Sequence, residues 1–367
     1  MTWSPLSCPT LDHRRSASMV HRGMGRICRL HPIGLMLLVV WGGGLASADD
    51  RLVVRRPGSQ GKFEVHGEIL DQRGEEITFR AGEDAPIQTF RGAEILVVEP
   101  VRSQLHQEGR DLLSKDPVQA AQLLEQALGE ETRAWVRRDI LADLIKSAVV
   151  QRDYPVAGAR YLALETSDPE TRYLAVIPLR WTRETPSRED RAAALKWLRS
   201  RSPTAQLLGA SQLLLDSEAA SDAQAALRQI SRGDSLRLQP LAQWQLRRLE
   251  AFSGQPRLSD LQYWQTALDQ LPAHLQAGPA FLVAEALDRR SETTLATSYW
   301  LRLITLESND LRLAAEALGR SVASLRRLGQ SAEADKLEVE LHQRFPAFSR
   351  GNDPEVPGKN VRPAQGH

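Results

Sequence analysis

The chain has 367 residues, enough for two domains with a sizeable core. Its 25 % charged and 42 % apolar residues are ordinary globular usage, and the formal charge of +1 hides an asymmetry. Residues 1–48 carry five Arg against one Asp, so the remainder holds 42 basic and 45 acidic side chains, and this near-neutral body excludes a global electrostatic attraction to nucleic acid or anionic membrane.

Residues 1–48 read as a secretory signal. Arg22, Arg26 and Arg29 form a positive region, and Ile33 to Trp41 form an apolar run. Gly42-Gly43-Gly44 breaks the run, and Ala46-Ser47-Ala48 has the small-x-small pattern of a cleavage site. Asp49 is then the expected mature N-terminus, with Met19 and Met24 as alternative starts and an uncleaved anchor as the competing reading. Both cysteines, Cys8 and Cys28, lie in this leader. A mature chain without thiols excludes disulfides, thiolate metal sites and Cys nucleophiles.

Residues 49–100 switch to short, partly alternating β-branched runs: 52–56, 63–70, 76–80, 87–90 and 94–98. Glycines 58, 61, 67, 74, 82 and 92 punctuate them, and Gln72-Arg73-Gly74 reads as a hairpin turn. Five short strands predict a small, strongly bent barrel. The order Gly67-Glu68-Ile69-Leu70, turn, Ile77-Thr78-Phe79, then Ala93 to Val98 resembles SH3-like and Sm-like small barrels. Lys62, Arg73 and Arg80 are either a binding face or solvated strand faces. Glu99-Pro100 is too short for a tether, so the barrel should dock on the helices that follow.

Residues 101–348 carry an internal repeat: a small residue, a bulky one four later, and an apolar one three after that. It runs Ala120-Leu124-Ala127, Ala157-Tyr161-Leu164, Ala193-Trp197, Ala223-Leu227-Ile230, Leu261-Leu268, Ala296-Trp300-Leu303 and Ala334-Leu341. The lead positions recur about every 36 residues, a helix-pair period. Steps of four and three share one helical face, and a short lead side chain lets two helices approach. A first helix precedes each of these, at 102–114, 132–150, 169–181, 203–216, 236–253, 274–290 and 309–328. One hairpin cannot bury its apolar face alone, so seven antiparallel hairpins should stack.

The stack resembles a tetratricopeptide-repeat (TPR) array. The last unit carries Leu318, Val322, Leu325, Gly329, Ala334, Leu341 and Pro346 in the family's order, and the first carries Leu105, Gly109, Leu112, Ala120, Leu124 and Ala127. The central units are degenerate, and Glu338 stands where the family has a large apolar residue. The resemblance implies a mainly α fold, a right-handed superhelix with first helices on its concave side, and a protein or peptide partner in the groove. A non-repetitive α domain, including a closed α/α toroid, is the competing architecture. Residues 349–367 turn Gly-, Pro- and charge-rich, and are expected to be a disordered tail.

No catalytic motif is present. The five histidines beyond the leader, His66, His106, His274, His342 and His367, have no i+3 or i+4 metal partner, and His342 pairs in helical spacing only with Glu338. G-x-S-x-G, H-E-x-x-H, the P-loop and G-x-G-x-x-G are all missing. The six tryptophans from Trp135 to Trp300 fall in apolar stripes and read as core, with a sugar groove as the alternative for one or two. The expectation is an exported, periplasmic or envelope-associated scaffold that is no enzyme and holds no cofactor or metal. The alternative is a helical glycan-processing enzyme or peptidoglycan-binding protein. One feature suggests the partner's chemistry. Arginine pairs recur late in three successive first helices, Arg247-Arg248, Arg289-Arg290 and Arg326-Arg327, where a stack would align them for an acidic peptide. Dipole stabilisation at helix C-termini explains the same pairs without a ligand.

Overall fold

The computed structural model describes residues 49–55, 61–306 and 310–349. The leader and the tail after Ser349 lie outside them. The fold is mainly α with a small antiparallel sheet.

The strands are β1 (Asp50–Arg55), β2 (Lys62–Arg73), β3 (Glu76–Arg80), β4 (Gln88–Arg91) and β5 (Ile95–Glu99). Their order is β4-β3-β2-β1-β5, all neighbours antiparallel. The sheet is not closed, which corrects the expected barrel: β4 and β5 are its two edges and do not pair. A register shift between Ile69 and Asp71 falls where β2 passes from β1 to β3. The turn at Gly74 has φ +52°, a conformation glycine adopts without a Cβ penalty. Arg73 and Arg80 are tied to Asp71 and Glu68 by ion pairs within the sheet.

The inner face of the sheet packs directly on the first helices. Leu52, Val54, Ile69, Ile77 and Phe79 share one core with Leu124, Trp135, Ile140 and Leu144. The Trp135 indole donates to the Ile69 carbonyl at 2.8 Å. Asp50 accepts from the amides of Ile69 and Val101, pinning the strand-to-helix junction.

Fourteen α-helices follow among the described residues: α1 (Gln104–Leu112), α2 (Pro117–Glu130), α3 (Ala134–Val150), α4 (Tyr154–Ser167), α5 (Arg188–Leu198), α6 (Pro203–Leu213), α7 (Ala220–Ile230), α8 (Gln239–Ser253), α9 (Leu258–Asp269), α10 (Ala277–Arg289), α11 (Thr293–Thr305), α12 (Leu311–Arg327), α13 (Ser331–Arg344) and α14 (Pro346–Ser349). Asp116, Asp153 and Ser202 cap α2, α4 and α6 by accepting an amide three residues on, and each of these helices has proline in its first turn. The lead residues Ala120, Ala157, Ala223, Leu261, Ala296 and Ala334 are fully buried. In the third unit Ala194 is fully buried and Ala193 only partly, so the repeat is shifted by one residue there. Trp197 of that unit lies over Gly158 of α4. Five of the six tryptophans are buried and Trp197 is half-buried.

Three inter-helix turns share one geometry. After α3, α10 and α12 the chain takes a left-handed residue: Arg152 (φ 62°), Ser291 (φ 64°) and Gly329 (φ 77°). In each turn the next amide, of Asp153, Glu292 or Gln330, bonds a carbonyl five residues back. This is the Schellman closure that glycine favours, and two of the three occupants are not glycine.

The first helix expected at 169–181 does not form. Residues 172–176 make a short 3-10 turn, and the chain then runs extended. Pro178 is the reason. It has no amide to donate, and it pushes Ile177 (φ −55°, ψ 121°) out of the helical region. The stack also returns on itself. α12 packs against α3 and α10, and Leu311 touches both main cores.

Candidate functional site

The arginine pairs do not form an open row. Arg248 is fully buried in α8. Its Nε and Nη2 donate to the Thr182 carbonyl at 3.0 and 2.7 Å, and its Nη1 donates to the Ser211 carbonyl at 2.7 Å. Burial, with Arg180 nearby, pushes this guanidinium down to about 9. Arg289 donates to the Ala251 carbonyl and Arg290 to that of Pro256, binding the end of α8 and the loop after it. Arg326 pairs with Glu338 at 2.7 Å, and Arg327 with Asp288 at 2.6 Å. Arg247 stacks on Trp244, its guanidinium carbon 4.3 Å from the ring centroid. Arg289, Arg290 and Arg327 thus tie one hairpin to the one before it, and Arg248 is closed off from solvent. Glu338, the departure from the TPR pattern, is explained by its pair with Arg326, and its backbone carbonyl accepts from His342.

A buried extended segment follows the 3-10 turn. Residues 177–182, Ile-Pro-Leu-Arg-Trp-Thr, are all buried. Side chains of α6 and α8 read their backbone as they would an extended peptide. Gln212 donates to the Pro178 carbonyl at 3.3 Å, the Arg180 amide donates to Ser211 Oγ at 2.9 Å, and Gln245 donates to the Arg180 carbonyl at 3.1 Å. Arg248 completes the set at Thr182. The Arg180 side chain lies over the Tyr154 ring and pairs with Asp190 at 2.6 Å. Glu184 then meets Arg312, Arg152 and Arg180.

Energy decides whether this strap is a gate or a core. Lifting it exposes Ile177, Leu179 and Trp181, each worth roughly 1.5–3 kcal/mol or more. Their sum approaches the roughly 5–15 kcal/mol that holds a domain folded. The strap is therefore part of the folded core.

Two further polar clusters lie inside. Glu285 of α10 and Glu316 of α12 share one Arg320 nitrogen, at 3.4 and 3.5 Å. Burial raises both carboxyls. His106, fully buried, meets Asp143 at 3.2 Å. Burial opposes the charge of Asp143, yet His106, Lys146 and Arg110 hold its carboxyl well below the usual range. Among the described residues no group of His, Cys, Asp or Glu is placed to hold a metal.

An open cleft lies elsewhere, between helices from the two ends of the stack. A cleft of about 1180 Å³ opens between the α1–α2 turn, the loop before α10, the end of α11, the start of α12 and the end of α13. Ile304, Leu306, Leu311, Ala314 and Phe345 supply apolar lining. The titratable groups on its described lining are Lys115, His274 and Arg344, all basic in kind. Partial burial lowers His274, and Arg344 shares its charge with Glu340. The amide of Ala347, in α14, donates to the Ser114 carbonyl at 3.5 Å, so the chain end is tied to the rim. No sequence signal marks these residues. They lie in turns and helix ends far apart in the chain, from Ser114 to Phe345.

No protein-family model matches the chain, and no curated protein or solved structure matches it either. The functional reading therefore rests on the geometry above.

Proposed function

We propose that the protein is an exported, non-enzymatic scaffold of the cell envelope. In this reading the helical hairpins are a TPR-like stack drawn closed around an internal strap, and the sheet is an open SH3-like module. The strand order, with β1 between β2 and β5 and a 3-10 turn before β5, supports the second part. The one observation that carries the function is the cleft. It is large enough for several side chains, apolar in much of its lining and basic in its charged lining. That chemistry suits an acidic, partly apolar segment of a partner protein. Export rests on the pattern of residues 22–48.

The test is site-specific photo-crosslinking in cells. A photoreactive residue at Thr305, exposed on the cleft, should give one discrete adduct that Lys115→Glu with Arg344→Glu abolishes. The same probe at Val339, exposed on α13, should not give that adduct. An adduct pattern identical at both sites, or none at Thr305, would sink the reading.

The glycan-enzyme alternative draws support from one observation, the return of α12 to α3 with Trp181 and Glu184 inside the ring. Against it, Trp181 is buried and Glu184 is held by three arginines, so neither faces an open subsite. Release of reducing ends from peptidoglycan or soluble glycans by the purified protein would revive it.

A further inference from the structure

The six paired arginines differ in one respect. Five of them close on oxygen atoms of the chain. Arg247 does not. Among the described residues it makes no ion pair, though the Glu250 carboxylate, one turn on, acts on it electrostatically. Its guanidinium lies instead between two rings, 4.3 Å from the centroid of Trp244 and 5.4 Å from that of Tyr263. Trp244 is buried and packs edge-on against Trp264, so it is a fixed platform. Tyr263 on α9 is 65 % exposed, a large apolar ring left in water with only its hydroxyl as an acceptor for Arg247.

We infer that Arg247, held between Trp244 and Tyr263, is a receptor for a carboxylate presented by a protein segment, with Tyr263 covering the apolar side chain beside it. A carboxylate is the complementary charge. Burial lowers the pKa of this guanidinium, and Glu250 and the Tyr263 hydroxyl offset that cost only in part. An incoming carboxylate would offset it while leaving the planar stack in place, because guanidinium binds anions edge-on and rings face-on. Tyrosine, tryptophan and arginine are also the residues that concentrate binding energy in protein interfaces. The inference is independent of the cleft, since none of the cleft's lining residues belongs to α8 or α9.

The test uses the whole exported chain, labelled with 15N at arginine side chains. The probes are two short peptides, N-acetyl-Leu-Glu-Leu-amide and its Gln counterpart. The expected result is a saturable shift of the Arg247 Nε–Hε signal with the Glu peptide only, weakening with salt. The signal is assigned by its loss in Arg247→Lys. Tyr263→Ala, at an exposed position, should reduce the affinity several-fold without changing the melting temperature. Lys115→Glu in the cleft should leave the shift intact. Equal shifts with both peptides, a shift spread over other arginines, or a response removed by Lys115→Glu would each overturn the inference. The last of these would still leave the cleft as a binding site, so the two readings fail separately.

Discussion

The indole of Trp181 lies directly over the Cα of Gly278: a Cβ on that glycine would sit 2.1 Å from the ring. The strap and α10 touch here without a side chain between them. That contact converts a surface groove into a core, because it seals the ring of Trp181 against the helix that would otherwise face solvent.

Gly278→Ala should therefore be strongly destabilising. The added methyl must displace either the indole or α10, at roughly 1–3 kcal/mol or more. Gly158→Ala should behave alike, since its Cβ would fall 2.2 Å from Trp197. Gly319→Ala in α12 is the control. Nothing lies within 4 Å of its Cβ, and alanine should gain up to about 1 kcal/mol by helix propensity. Urea melts of the three variants should separate in this order.

The left-handed turns predict a gain. Ser291 sits at φ 64° in the same Schellman turn that Gly329 occupies without a Cβ. Ser291→Gly should stabilise by about 1 kcal/mol, and Gly329→Ala should cost a similar amount. Thermal denaturation checks the pair. A melt lowered by Ser291→Gly would show that the serine side chain holds the turn.

The arginines can be sorted by mutation. Arg248→Ala leaves the Thr182 and Ser211 carbonyls buried without donors and opens a cavity, a loss of roughly 2–5 kcal/mol. Arg326→Ala removes an exposed ion pair, which contributes little in water, and its melt should stay close to the parent's. Equal destabilisation by both changes would contradict the burial assigned to Arg248.

The inner carboxyls set a pH dependence. Burial raises Glu285 and Glu316 above the ordinary value of 4.5, so the folded state keeps their protons longer than the unfolded chain does. Their contribution is full below that value and is lost as pH rises through the folded-state pKa. The lowered carboxyls of Asp71, Asp143 and Asp216 act in the opposite sense, stabilising above the unfolded value and losing it in acid. Glu285→Gln should remove part of the decline above pH 4.5 while leaving the acid limb unchanged. Chemical denaturation from about pH 2 to 8 measures both limbs, and a parallel pair of curves would refute the assignment.

Much of the local structure was legible in the residues. Steps of four and three from Ala120, Ala157, Ala223, Ala296 and Ala334 marked helix faces that are buried as the period requires. The five strands fell where β-branched runs and glycines placed them. The break in the third unit was also written in the chain, at Pro178, whose missing amide outweighs the apolar pattern around it. Periodicity reports that a side chain is buried, because burial repeats with the turn of the element. It does not report against what. The edges of the sheet, the return of α12 to α3, the strap beneath Gln245 and Arg248, and the cleft between Lys115 and Arg344 all depend on contacts between distant segments. Adjacent arginines look alike in sequence, yet Arg247 ended between two rings and Arg248 beneath a backbone, since neighbours on a helix point about 100° apart and meet different surroundings.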